Sequence, residues 1–223
     1  MGGPYNPLDK INLGRSVAEA LLLRPVASLL QTTELIGAGV YAIYYSGDFA
    51  AYRPVAEKNR GEAYSQPIYV GKAVPKGARK GGLSFDATKG TPLRDRLRQH
   101  AASINDARNL DIADFHFRSL VVDDIWIPLG ENMMIEEFRP IWNRVIDGFG
   151  NKTPGKRRET QFRSAWDVLH PGRRFAERLA DSGITSDAII SRLAAYFAGQ
   201  TVPLISAEEG ADEGTADDDE ADD

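Results

Sequence analysis

The chain contains no cysteine, which excludes disulfides and thiolate metal sites, and its three histidines, His100, His116 and His170, are the whole supply of imidazole. A metal used by this protein is therefore expected to be a hard ion held by carboxylate. Long apolar runs are missing as well. No stretch approaches the roughly 18 consecutive apolar residues of a membrane span, and the first ten residues lack the basic-then-apolar layout of a secretory signal. The expectation is a cytoplasmic protein with no membrane partner. Internal repeats are also missing, and 223 residues at 42% apolar composition suffice for one well-packed domain with additions.

The formal charge of -5 conceals an uneven distribution. Ten of the 32 acids fall in residues 208–223, which leaves 22 acids against 27 Lys and Arg in the body of the chain, a balance of +5. A basic body is compatible with a polyanionic partner. The acidic end reads as a solvated disordered tail that aids solubility, with competition for the basic surface as the alternative.

Six segments have a clear local signature. Residues 15–30 read as a peripheral helix interrupted before Pro25. Gly39-Val-Tyr-Ala-Ile-Tyr-Tyr45 is β-branched and aromatic, ends at Ser46-Gly47, and reads as a buried strand. Gln66-Pro-Ile-Tyr-Val-Gly71 reads as a second, paired with the first through a long connection. Pro92 opens a helix through about Ala102, Phe115-His-Phe-Arg-Ser-Leu-Val-Val122 reads as a third strand, and a further helix runs from Pro128 to Phe138, stopped near Pro140. Between the second strand and its helix lies a basic, glycine-rich segment with loop chemistry, Lys72-Ala-Val-Pro-Lys-Gly-Ala-Arg-Lys-Gly-Gly82. Beyond residue 144, arginines and lysines alternate with Phe162, Trp166 and Phe175, and helices are expected at 173–182 and 186–198.

Gly39-Val-Tyr41 and Tyr69-Val-Gly71 on two strands, then Leu93-Arg-Asp-Arg-Leu97 on a helix, Glu131 on a later helix and Pro140-Ile-Trp-Asn143 form an ordered series. Each tripeptide alone is a weak signal. Taken singly, Tyr41 and Tyr69 would more often be core tyrosines, Arg96 and His100 a solvated helix face, and Glu131 a helix-dipole partner. In this order and spacing the series resembles the GIY-YIG nuclease superfamily over about residues 36–145. The flank of residues 143–151 and the basic segment after it look most similar to the type II restriction endonucleases that cleave CCGCGG.

That resemblance implies an α/β (α+β) fold, a small, mainly antiparallel three-stranded sheet flanked by helices. The expected layout is a helical arm at 1–35, a nuclease core at 36–145 with a basic insertion at 74–91, a basic and aromatic helical DNA-binding extension at 146–207, and the acidic tail. It also implies that the functional arginine is Arg96, the second of its turn, rather than Arg94 or Arg98. The metal-binding glutamate is Glu131, twelve residues before Asn143, rather than Glu136 or Glu137. The implied partners are double-stranded DNA, a second copy of the chain, since a palindrome needs one active site per strand, and a cognate methyltransferase that is not a stable subunit.

Phosphodiester hydrolysis makes sense of these residue types. It needs a deprotonated water, neutralisation of the phosphorane and help for the departing 3'-oxygen. Glu131 suits one Mg2+, or Mn2+ in its place, that otherwise keeps its waters. Arg96 presents a fork to phosphate oxygens. Tyr41 can take the water's proton if nearby Arg, Lys or metal lowers its pKa from about 10. Tyr69 and His100 would position the water or the phosphate, and Asn143 would orient substrate or Glu131. Lys72, Lys76, Arg79, Lys80, Lys156, Arg157, Arg158 and Arg163 are the candidate DNA contacts. His116 reads as cross-strand packing or a DNA contact and His170 as structural. The function expected is that of a type II restriction endonuclease. The alternatives are a repair-type or mobile-element nuclease, or a DNA-binding module without catalysis on the same fold.

Overall fold

The computed structural model describes residues 6, 9–74, 88–151 and 161–205. Its centre is an antiparallel sheet of four strands, β1 (Ala27–Ser28), β2 (Gly39–Tyr45), β3 (Pro67–Ala73) and β4 (Phe115–Val121), in the spatial order β1-β4-β2-β3. The three expected strands are all present. The fourth, β1, was not foreseen, and its two residues pair with Phe117 and His116 of β4. It lies in the stretch 15–30: α1 (Lys10–Leu22) stops before Pro25 as expected, but the residues after the proline turn to the sheet edge rather than resuming a helix. Proline cannot continue a helix interior, and the residues after it are freed for pairing.

β2 is central and buried along its whole length. Alternate side chains go to opposite faces of a strand, so Val40, Ala42 and Tyr44 enter one apolar cluster and Tyr41, Ile43 and Tyr45 the other. Burial on both faces explains why β2 reads as a continuous apolar run rather than an alternation. The first face is covered by α1 and α4 (Ile127–Phe138), which contribute Ala18, Leu21, Ile127 and Met134. The second face is covered by α3 (Pro92–Asp106) and by the C-terminal segment, whose Ile146, Phe149, Trp166, Leu169 and Leu193 join the same cluster. The described residues of the C-terminal segment, 146–151 and 161–205, thus share a core with the sheet.

Between β2 and β3 the chain forms the short helix α2 (Arg53–Glu57), and Asn59 binds the backbone of Tyr45 and Gln66 at 2.8–3.0 Å, closing the hairpin's base. After α4, Arg139 takes a left-handed conformation (φ 45°, ψ 56°) and Pro140 follows, which ends the helix and starts α5 (Ile141–Arg144). The C-terminal segment carries α6 (Ala165–Leu169) and α7 (Ser186–Phe197). The helix expected at 173–182 is reduced to a single turn at Ala176–Arg178. Arg173, its expected first residue, is 1% exposed and engaged in tertiary hydrogen bonds, so tertiary contacts override local preference there. No helix among the described residues is long and apolar enough to cross a membrane.

Candidate active site

The two glycines of the strand tripeptides have different reasons. A Cβ on Gly39 would lie 1.9 Å from the Leu120 carbonyl oxygen, so β2 and β4 can approach there only without a side chain. A Cβ on Gly71 would lie 2.4 Å from Tyr41 Oη and 2.9 Å from Tyr69 Cε1. Gly71 faces Tyr41 across the β2–β3 ladder, and its bare backbone makes room for the Tyr41 phenol. Tyr69, one turn of the pleat away, brings its ring to 6.3 Å from that of Tyr41.

On α3 the buried positions are Leu93, Leu97, His100 and Ile104, a single helical stripe. His100 therefore occupies a core position. Its Nε2 lies 2.7 Å from Tyr41 Oη, in a fully buried contact. Its ring stacks on Phe149 at 4.5 Å with an interplanar angle of 15°, and meets Tyr69 at 5.1 Å. Burial, reinforced by Arg96 and Arg173, holds the imidazole well below its usual pKa, so it is neutral. A neutral imidazole has one acceptor nitrogen.

Arg96, four residues earlier on the same face, interacts with both phenols. Its fork is steadied by Nη1 to Gln99 Oε1 at 3.2 Å and Nη2 to the Gly150 carbonyl at 3.1 Å. The side chain is half-buried.

Burial raises Tyr41 well above the ordinary phenol pKa, and Tyr69 and Glu131 raise it further. Of the charges in contact with it, Arg96 pulls it down. The expected lowering is therefore not supplied by the protein groups on their own, because Tyr41 is wholly buried and desolvation outweighs one guanidinium. Tyr69 is raised for the same first reason, again opposed by Arg96.

Glu131 sits on α4 against the edge strand β3, and its charge reaches both phenols. Its Oε2 lies 2.8 Å from Lys72 Nζ, with the carboxylate side chain 15% exposed and the lysine 42%. Among the described residues no group of three or more His, Cys, Asp or Glu could hold a metal ion. The donor set at the candidate site is one carboxylate that already attracts a cationic partner, and this fits a single divalent ion that keeps most of its own waters. Glu136 instead pairs with Arg144 on the surface, and Glu137 is exposed.

Asn143 does something other than was expected. Its Oδ1 accepts from the Val70 amide at 2.8 Å and its Nδ2 donates to the Val70 carbonyl at 2.9 Å. Both ends of the amide are engaged with the backbone between Tyr69 and Gly71, so Asn143 pins the edge strand that carries the second tyrosine. It orients β3 rather than substrate or Glu131.

Arg163, a candidate DNA contact, is half-buried and donates through Nε to the Ala176 carbonyl at 3.2 Å. Lys76, Arg79, Lys80, Lys156, Arg157 and Arg158, together with the acidic tail, lie outside the described residues. His116 packs against Tyr64 at 4.9 Å, and His170 is buried between Tyr52 and Asn109, a structural histidine. Two contributors were missed in the sequence: Phe149, which stacks on His100, and the Gly150 carbonyl, which holds Arg96. Neither carries a titratable group that would have drawn notice.

Residues 33–197 match the family model of the Eco29kI GIY-YIG domain. The chain belongs to this family. Among curated proteins, none matches it at a significant level. As an Eco29kI-type GIY-YIG protein, it is a nuclease acting on DNA, of the restriction endonuclease class. The match runs well past the strand and helix motifs into the C-terminal segment, which agrees with the shared core.

Proposed function

We propose that this protein is a type II restriction endonuclease that hydrolyses double-stranded DNA at a short palindromic G·C-rich site, CCGCGG being the sequence the resemblance favours. Its cofactor is one Mg2+ per active site, with Mn2+ able to substitute. The observation that carries the reading is the convergence of Tyr41, Tyr69, Arg96 and His100 with the Lys72–Glu131 pair at the edge of one sheet, within a chain of the Eco29kI family. A DNA-binding module without catalysis would not need a neutral buried imidazole, two phenols and an arginine fork gathered at one point.

In this reading Arg96 binds the scissile phosphate and stabilises the charge that builds on its equatorial oxygens. Lys72 leaves Glu131 when the cation binds and becomes a second phosphate contact. Glu131 would hold the divalent ion, which would supply Lewis-acid stabilisation of charge on the leaving group and lower the pKa of groups near it. Tyr41 takes the proton of the attacking water as its own hydroxyl proton passes to Nε2 of the neutral His100 imidazole, 2.7 Å away. Because Tyr41 is enclosed in the free protein, the water reaches it after Tyr69 and Arg96, the two partly exposed groups in contact with it, shift on engaging DNA. Asn143 keeps Tyr69 in register. Proton transfer by a positioned group is typically worth about 10²–10⁴ in rate.

A palindrome is cut on both strands by two related sites, so the working form is a homodimer. A cognate methyltransferase would protect host DNA without being a subunit. Incubating purified protein with plasmid DNA and Mg2+, then sequencing the fragment ends, tests the reading. One recurrent palindrome at the ends is expected; random nicking, or no cleavage at any site, would overturn it.

A further inference from the structure

Arg173 lies in the stretch 146–207 that reads from sequence as a basic and aromatic DNA-binding extension. It is instead one of the most deeply buried side chains in the protein, and every nitrogen of its guanidinium is engaged. Nε and Nη2 clasp the Asp167 carboxylate at 2.6 and 2.7 Å. Nη2 also donates to the Gly148 carbonyl at 2.8 Å, and Nη1 to the carbonyls of Phe149 and Asn151 at 3.2 and 3.3 Å. The flat group lies over Trp166 at 4.5 Å and Phe175 at 4.9 Å. Asp167 is itself fixed, since it accepts from Ser164 Oγ at 2.7 Å and belongs to the first turn of α6.

A buried ion pair is weak evidence for a stability role, because well-packed apolar residues of similar volume serve as well. What apolar residues could not do is bind three carbonyls of one loop at once, a task that suits the rigid five-donor fork of arginine. The bound carbonyls belong to residues 148–151, and this loop is the wall of the candidate active site. Phe149 stacks on His100 at 4.5 Å, and the Gly150 carbonyl accepts from Arg96 Nη2 at 3.1 Å. A Cβ built on Gly150 would lie 3.0 Å from Arg96 Nη2 and 3.2 Å from Tyr69 Oη, so the backbone there is pressed against both groups.

We propose that Arg173, clamped by Asp167, is a positioning residue of the nuclease: it fixes loop 148–151 so that Gly150 aims the Arg96 fork and Phe149 holds the His100 ring against Tyr41. The proposal rests on the nuclease reading of that site. It assigns the C-terminal segment a part in catalysis besides any DNA contact. The cluster acts through the loop and touches no reacting atom.

The test uses the full chain carrying Arg173→Lys, which keeps the charge and loses the fork, and separately Asp167→Asn. On a duplex that the wild-type protein cuts, the expected result is a single-turnover rate at least about tenfold lower. Duplex affinity measured with Ca2+ in place of Mg2+ should stay within about twofold, and the fold should persist by circular dichroism. In an Arg96→Lys background the added loss should largely disappear, since residues acting as one unit are not additive.

A second readout needs no activity. The His100 ring-proton resonances, displaced by the Phe149 ring current, should move toward unstacked values in Arg173→Lys while those of His116 stay put. Three histidines make the assignment tractable. Unmoved His100 resonances, a folded variant with wild-type rate, or an undiminished loss in the Arg96→Lys background would overturn the proposal. Unfolding of both variants would reduce the cluster to a folding element and overturn it likewise. Failure of the wild-type protein to cut any duplex would count against the nuclease reading alone, with the resonances still deciding the loop's role.

Discussion

The protein contains two buried phenol–imidazole pairs of nearly the same geometry in different surroundings. Tyr41 Oη lies 2.7 Å from His100 Nε2, and Tyr52 Oη lies 2.6 Å from His170 Nε2. In both, burial raises the phenol and depresses the imidazole. The second pair is closed on all sides by hydrogen bonds: Trp142 Nε1 donates to Tyr52 Oη at 2.9 Å, and His170 Nδ1 lies 2.9 Å from Asn109 Oδ1. It joins the hairpin connection to the C-terminal segment and is surrounded by aromatic rings. The first pair adjoins a half-buried arginine, a second phenol and a carboxylate. A buried tyrosine bound to a histidine is thus no sign of catalysis by itself. Adjacent charge that solvent and substrate can reach is what distinguishes the Tyr41 pair.

The largest expected effect that sharpens this contrast is on rate. Tyr41→Phe should lower single-turnover cleavage by about 10²–10⁴, whereas Tyr52→Phe should leave the rate of the folded protein within about twofold. Equal losses in the two variants would erase the distinction. On stability the order reverses. Tyr52→Phe orphans a buried Trp142 donor and a His170 nitrogen and should cost about 1–3 kcal/mol in denaturant unfolding, more than Tyr41→Phe, whose second partner, Arg96, is half-buried and keeps Gln99 and the Gly150 carbonyl.

Next in size is a pH effect carried by the structural pair. His170 titrates at about 3 in the folded protein against about 6.5 in the unfolded chain. Between these values the unfolded chain binds the additional proton, so stability is full above about pH 7 and is lost as pH falls through 6.5 toward 3. The thermal midpoint should decline over that window, and His170→Gln should flatten part of the slope; the same slope in the variant would contradict it. The smallest effect concerns the Lys72–Glu131 pair. Exposed on one side, it is worth little to folding, but the lysine competes for the carboxylate, and Lys72→Met should tighten Mn2+ binding a few-fold by calorimetry without DNA. Unchanged or weaker binding would mean that the lysine does not compete.

Much of the site was legible because its signals are local. Gly39 and Gly71 mark strand positions where only a bare backbone fits, Pro92 and Pro128 start the two helices that bring in Arg96 and Glu131, and Arg96 and His100 are four apart on one helix. The departures come from contacts distant in sequence. Asn143 looked like a substrate ligand because nothing in its neighbourhood says that its amide will close on Val70. Arg173 looked like a surface cation because its carboxylate and carbonyl partners gather only when α6 and the 148–151 loop pack together. The two-residue strand β1 has too few residues to show any periodicity.

The most direct test of the central claim is plasmid cleavage in Mg2+ by the wild-type protein beside Glu131→Ala and Arg96→Ala. The account predicts fragments with one common palindromic end sequence from the wild type, and losses of at least about 10²–10³ in both variants. Cleavage by Glu131→Ala at the wild-type rate would contradict the assignment of the cation to that carboxylate and, with it, the architecture proposed for the site.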